Sequence, residues 1–361
     1  MPDLLTLSNR SPSSQPAADH LPRAGRCPSA GALIISLDFE MYWGIHGLKP
    51  WPRQRPRILG GREAVPAILQ LFQEFGVHAT WATVGFLFFA TKAGLLQNLP
   101  ARRPAYANRR LDPYAHLDEI GPDESHDPVH FGASLLETIA RHPSQEIGTH
   151  TFSHYYCLEP GQDADSFRAD LEAALAAAQR RSLTLRSIVF PCNQTRPEYL
   201  PICQALGLVA YRGNSAGVAC QPTDLAGQAS PPRRALRLLD SFLPVGRATS
   251  SAWPPPTNNG LVDVPASRYL RPFLKPLALL EPLRLARITS EMTSAARTGR
   301  IYHLWWHPHD FGLDLARNLR FLRRVLEHFR ALHASCGLRS LNILEAATEA
   351  RCFMVGGGIS H

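Results

Sequence analysis

The sequence predicts an α/β fold: a mainly parallel sheet curled into a barrel. Three observations lead there. Short β-rich apolar runs alternate with helical stretches along most of the 361 residues, the pattern of strands joined by crossover helices. Seven or eight runs read as strands, which suits a barrel better than an open sheet. Ionisable residues gather where those runs end, the place where parallel barrels keep their chemistry.

The elements follow in order. The run "ALIISLDFE" (32–40) is a buried strand. "REAVPAILQLFQEFG" (62–76) has helical periodicity and ends at Gly76. "VHATWATVGFLF" (77–88) is strand, then a turn at Gly85. An irregular insert rich in Pro, Arg and Asp fills 92–132, before a helix at 134–142 and a strand at "QEIGTH" (145–150). Residues 166–181 form an amphipathic helix, "LRSIVFP" (185–191) a strand, and 197–207 a helix with Pro197 in its first turn, where proline is tolerated. "LVAYRG" (208–213) is strand. From about 220 to 260 the chain turns Pro-, Ala- and Ser-rich. "LVDVPAS" (261–267) is a further strand, 279–299 a helix, "RIYHLWWHP" (300–308) a strand, 315–337 a long helix and "LRSLNIL" (338–344) a last strand. We expect one barrel domain over 31–350, a disordered tail over 1–30 and a C-terminal tail over 351–361.

The formal charge is +8, carried by arginine except at Lys49, Lys92 and Lys275. That balance suits anionic partners, phosphate-bearing sugars among them, and selects none. Nucleic acid is not expected. Seven cysteines without a CxxC pair argue against a disulfide framework and a cysteine zinc site. The first thirty residues lack the apolar core of a signal peptide, and no stretch is long and apolar enough to span a bilayer. The expectation is a cytoplasmic protein. The stretch 267–287 mixes arginine with apolar residues. It reads as a helix packed on the barrel with its arginines in water, or as a peripheral contact with an anionic membrane. The oligomeric state is not legible.

Four segments carry chemistry. In "SLDFE", Asp38 and Glu40 face the same way from a strand. Two carboxylates there repel and resist desolvation, and a cation would resolve both problems; a loop cap or an arginine pair would also account for them. In "HTFSH", His150 and His154 stand at i and i+4, able to reach one metal ion from a single helical turn or a tight loop, or else simply two loop histidines. In "IYHLWWHPHDFG", His303, Trp305 and His307 share a strand face, while His309 and Asp310 lie just beyond. Tryptophan beside histidine suits a sugar ring; aromatic core filling is the plainer account. In "VFPCNQ", a strand ends at Pro191 and puts Cys192, Asn193 and Gln194 in a loop. A nucleophilic Cys192 is not favoured, because no histidine adjoins it in sequence.

Together these segments resemble the polysaccharide deacetylase family, also called NodB-homology or carbohydrate esterase family 4, over roughly residues 30–350. "SLDFE" resembles its first motif and "HTFSH" matches its metal-binding His-Ser/Thr-x-x-His motif. "VFPCNQ" is similar to the third motif and "LWWH" to the late Leu-x-Leu-His motif. The resemblance implies a distorted (β/α)7 barrel and a divalent metal, zinc first, held by Glu40, His150 and His154. It implies Asp38 as base and His307 as acid, with Pro191, Asn193, Gln194, Trp305 and His309 on the substrate groove. The implied reaction removes N-acetyl groups from a saccharide, with a backbone N–H of the 191–194 loop helping the metal to hold the oxyanion. Three departures stand out. The adjacent acid pair is spread to Asp-x-Glu, Cys192 occupies the place of an arginine for which Arg186 or Arg212 would substitute, and no fourth motif is found. Other readings are a catalytically silent saccharide binder, a hydrolase of a small non-sugar amide, and a non-haem iron oxygenase.

Overall fold

Every residue of strand β1 (Ala32–Phe39) is buried in the computed structural model, as an apolar run requires when a parallel sheet is covered on both faces. The structure describes residues 30–48, 51–215, 220–243, 249–255 and 260–356. The expected N-terminal tail therefore lies outside the described residues, apart from Ala30. The other strands are β2 (Ala79–Thr83), β3 (Gln145–Thr149), β4 (Ser187–Val189), β5 (Ala210–Arg212), β6 (Val262–Asp263), β7 (Arg268–Tyr269), β8 (Ile301–Trp306) and β9 (Arg339–Leu341). Their order is β6-β5-β4-β3-β2-β1-β8-β7. All named pairings are parallel, with β9 against the start of β1 at Ala32↔Arg339. That is not the antiparallel double sheet an iron oxygenase reading needs.

The two edges of the curled sheet meet through one segment. Val264 and Ala266 donate their amides to Tyr211 and Gly213 carbonyls at 2.9 Å, and Ser267 donates to His303 at 2.8 Å. One stretch of backbone thus bonds to β5 on one side and β8 on the other, closing a distorted barrel.

Side chains alternate, so β1 feeds two environments. Leu33, Ile35, Leu37 and Phe39 pack outward against the helices, with Phe72, Trp81 and Trp306. Ala32 and Ile34 point inward and meet Val189, Val262, Ile301 and Ile343. Further along the inward row come Ser36, Asp38 and then Glu40. The barrel interior therefore runs from apolar at one end to charged at the other.

Several elements differ from expectation. The first helix is Trp51–Phe75, longer than 62–76, and contains Pro56 and Pro66. Glycines let it press on the loop after β8: a Cβ at Gly60 would stand 2.2 Å from the Gly312 oxygen. The region read as only Pro-, Ala- and Ser-rich contains helices Leu225–Ala229 and Pro231–Asp240. The stretch 267–287 is not one helix: Glu281–Thr298 begins after a 3-10 turn. Its arginines are not in water. Arg284 is buried, donates to Glu281 at 2.6 Å and lies over the Phe321 ring, while Arg287 pairs with Glu291 at 2.9 Å. The last strand is three residues long, and helix Ile343–Gly356 follows and plugs the apolar end of the barrel. The tail expected from 351 thus begins as helix, and 357–361 lie outside the described residues. Among the described residues no helix is long and apolar enough to cross a membrane.

Candidate active site

Strand β1 ends by turning its two acids into the charged mouth of the barrel. Asp38 and Glu40 are each 3% exposed. Their surroundings differ. Asp38 is gripped by Arg212 through two bonds, Nη1 to Oδ1 at 2.6 Å and Nη2 to Oδ2 at 2.8 Å, a fork that matches a carboxylate well. Arg212 also donates to Ser36 Oγ and Asn193 Oδ1, both at 3.0 Å, and stacks on Trp305 with its Cζ 4.4 Å from the ring centre. Burial pushes the Asp38 pKa up, but Arg212 and the imidazoles of His150 and His307 outweigh it and hold the carboxyl below its usual range. Of the two substitutes considered for the missing arginine, Arg212 is the one at the acid, brought there by the end of β5.

Glu40 sits among imidazoles instead. Its Oε2 is 3.1 Å from His154 Nε2 and 3.3 Å from His150 Nε2, and its Oε1 is 3.5 Å from His307 Nε2. Burial raises its pKa, but His307, His150 and His154 reverse the effect and hold it well below the ordinary carboxylate value. A side chain at position 44 would collide with this carboxylate, since a Cβ at Gly44 would lie 1.9 Å from it. Gly44 is therefore part of the cradle.

The histidine loop after β3 is held by its own backbone and by one buried acid. Thr151 and His154 adopt left-handed φ of 64° and 57°, a conformation costly for residues with a Cβ. Asp170 offsets that cost: it accepts from the Phe152 amide at 2.6 Å, the Ser153 amide at 3.2 Å and the Ser153 hydroxyl. Burial raises the Asp170 pKa to about 6, against the pull of those hydrogen bonds. His150 donates Nδ1–H to the Val189 carbonyl at 2.8 Å, which leaves its Nε2 lone pair facing Glu40. His150 Nε2 and His154 Nδ1 are buried without a hydrogen-bond partner. The first of these faces Glu40, and an orphaned nitrogen beside a carboxylate is what a cation site presents; the second is the far nitrogen of a ring whose Nε2 meets Glu40. The donor atoms of Glu40, His150 and His154 lie within 4.8 Å of one another, so the trio fits a divalent cation. Glu40, His307 and His309 form a second such trio around the same carboxylate.

The loop after β8 is held by a second buried acid. His307 bonds through Nδ1 to Asp310 Oδ2 at 2.9 Å, and Asp310 also binds Arg57 and the Tyr269 hydroxyl. Burial lowers the His307 pKa, while Glu40 and Asp38 pull the other way. His307 Nε2 is 3.8 Å from Asp38 Oδ2, so the two groups named as acid and base face one space.

A cavity of about 860 Å³ opens from that space, lined by His307, Trp305, Asn193 and Tyr269 among others. Asn193 and Trp305 are thus on its wall. Pro191, Gln194 and His309 are buried and do not line it. A 3-10 turn at Pro191–Asn193, with left-handed Cys192 and Asn193, reverses the chain. Gln194 then points back to donate to Glu159 at 2.9 Å and accept from Leu158 at 3.0 Å. His309 stacks behind His307 with ring centres 5.2 Å apart. Trp306 is in the core, stacked on Phe311, so only one of the paired tryptophans faces the cavity. The amides of Asn193 and Gln194 are taken by the carbonyls of Phe190 and Pro191 at 2.9 and 3.0 Å, so neither is available to an oxyanion. Burial pushes the Cys192 thiol up, with Glu40 and Asp38 adding to it, which leaves no thiolate at neutral pH.

Sequence reasoning did not name Asp170 or Tyr269. Asp170 lies inside an ordinary amphipathic helix pattern and carried no local signal. Tyr269 ends a two-residue strand, where its orientation follows only from the closing segment.

The architecture has known counterparts. A structure from Mycobacterium smegmatis described as a polysaccharide deacetylase aligns with 97% of this chain and 96% of its own, at 14% identity and a TM-score of 0.54. Puue allantoinase aligns with 89% of this chain and 90% of its own, at 11% identity and a TM-score of 0.53. No protein-family model and no curated protein sequence matches the chain. The fold is thus the polysaccharide deacetylase fold that the motifs implied.

Proposed function

We propose that the chain is a metal-dependent hydrolase of carbon–nitrogen bonds other than peptide bonds, removing N-acetyl groups from a saccharide. One observation carries the reading: Glu40, His150 and His154, from two distant strand ends, converge with their donor atoms within 4.8 Å, while Asp38 and His307 flank them. Zinc is the ion first expected from two imidazoles and a carboxylate. Bound there, it would supply a Lewis acid that polarises the acyl carbonyl and makes water easier to deprotonate. Asp38, kept ionised by Arg212, takes the proton from the attacking water. His307 delivers a proton from Nε2 to the departing nitrogen, while Asp310 holds its Nδ1 side and fixes the ring. An imidazolium whose pKa is lowered by burial gives its proton up readily. Trp305 offers one ring face to a sugar, the other being covered by Arg212.

A second reading, hydrolysis of a small non-sugar amide, draws on the likeness to an allantoinase. The silent-binder reading rested on the missing arginine, and Arg212 leaves it without that ground. The test is elemental analysis of the purified protein joined to an acetate-release screen over N-acetylated saccharides. One equivalent of divalent metal and released acetate are expected. A protein that never holds metal, or loads fully and frees acetate from none of the saccharides, overturns the proposal.

A further inference from the structure

The cavity that begins at His307 ends among arginines. Its far wall is the helix Pro231–Asp240, and Arg233, Arg234, Arg237, Arg268 and Arg271 all line it. Arg268 is balanced by ion pairs: it binds Glu291 at 2.9 Å and Asp240 at 3.2 Å. Among the described residues Asp240 is the single carboxylate of the lining, and it is further shared with Arg287 at 3.5 Å. Among the described residues Arg234, Arg237 and Arg271 meet no carboxylate. Among those residues Arg237 donates to the Gln228 carbonyl at 2.6 Å and Arg271 to Ser241 Oγ at 3.2 Å. Burial lowers the Arg237 pKa, and the charges of Arg233, Arg271 and Arg234 lower it further. Burial does the same to Arg271. Partly desolvated like charges crowded into one cavity are costly unless an anion joins them.

The helix itself points the same way. None of its ten residues is buried. A helix that contributes no buried residue gains little from packing, so it is poorly explained as a structural element. Its arginines instead face the space in front of His307.

Resting on the hydrolase reading of the same site, we infer that the substrate carries a phosphate group, bound by Arg233, Arg234, Arg237 and Arg271 while its acylamino end lies at Glu40 and His307. Several guanidinium forks suit the several oxygens of a phosphate better than a lone carboxylate, which one fork satisfies. The rest of the lining is largely apolar, with Ala235, Leu236, Leu238 and Leu274, and takes the body of the ligand between its two polar ends.

The test uses the full chain and probes without an acyl group. Inorganic phosphate and uridine diphosphate are titrated calorimetrically, and sedimentation with vesicles containing phosphatidic acid is run beside them. Binding by at least one probe is expected, weakened by about tenfold or more in R237Q/R271Q, as loss of charge-assisted hydrogen bonds predicts. R234Q, at an exposed side chain with no folding role, should weaken it by a few-fold. R323Q, which breaks the remote pair with Glu74, should leave it unchanged. Tighter binding of uridine diphosphate than of phosphate assigns a nucleotide-borne group, and arginine-dependent vesicle binding assigns a lipid-borne one; both uphold the inference. Equal binding by the wild type and R237Q/R271Q, or none to any probe, overturns it. Arginine-dependent binding without acetate release from any saccharide leaves the phosphate site standing and removes the hydrolase. Acetate release from neutral saccharides, untouched by uridine diphosphate, does the reverse.

Discussion

Two loops bring histidines to Glu40, and each is pinned by a buried aspartate. In the loop after β3, Asp170 binds amides and the hydroxyls of Ser153 and Tyr114 and, among the described residues, no imidazole. In the loop after β8, Asp310 binds the Nδ1 side of His307 itself, together with Arg57 and Tyr269. The first acid fixes a backbone and leaves its histidines to present lone pairs. The second addresses the ring whose proton is to move. The difference teaches that histidines around one carboxylate divide into those that hold and those that transfer, according to what stands behind them.

The contrast can be broken most severely at the first loop. His150→Ala removes a donor with no alternative partner, so metal content and acetate release should vanish together, the rate falling on the order of 10³-fold or more. Metal stoichiometry and rate measured on one preparation check it, and a variant that stays fully loaded removes His150 from the ligand set. His307→Ala should spare the metal and cost on the order of 10²–10⁴-fold in turnover. If it empties the site instead, the second loop is holding rather than transferring.

Asp310→Asn probes the acid behind the ring. We expect retained metal, a fall in kcat of about 10- to 100-fold, and little change in KM. Removing a carboxylate disfavours the imidazolium, so the alkaline limb of the pH–rate profile should move to lower pH. An unchanged limb would make Asp310 a packing residue.

The remaining effect is on stability, not turnover, and lies at Asp170. Its folded-state pKa, about 6, is raised above the value of an unfolded aspartate, about 3.9. The native state therefore binds the proton more tightly, and the cost of the buried charge grows as pH rises through that window. Asp170→Asn loses acceptors at every pH, yet escapes that cost. Its deficit relative to the wild type should shrink between pH 4 and pH 7, by about 2 kcal/mol. Urea denaturation of both proteins at the two pH values reads it; a gap that widens with pH contradicts the raised pKa.

Much of this site was legible because strands translate spacing into direction. Asp38 and Glu40, and His303, Trp305 and His307, lie two residues apart, and the inward row they form is the one observed. The i, i+4 pair in "HTFSH" was also informative, although the loop reaches its geometry through left-handed residues and not through a helical turn. What failed was whatever depends on local reversal or on distant partners. Gln194 stands beside Asn193 yet points the other way, because two consecutive left-handed residues invert the chain. Arg212 closes a strand of three residues, too short to announce a register. Helix Pro231–Asp240 has no buried residue, so no periodic core stripe announced it.

The place of β1 within the sheet has a consequence for assembly. Ala32, at the start of the central strand, lies beside Ile301 and Arg339. Strand β1 therefore waits for segments far along the chain before its backbone is satisfied along both sides. Until then it is an unpaired apolar ribbon, the kind of surface that recruits wrong partners. Contacts this distant in sequence slow folding, and yield on refolding from denaturant should depend strongly on protein concentration.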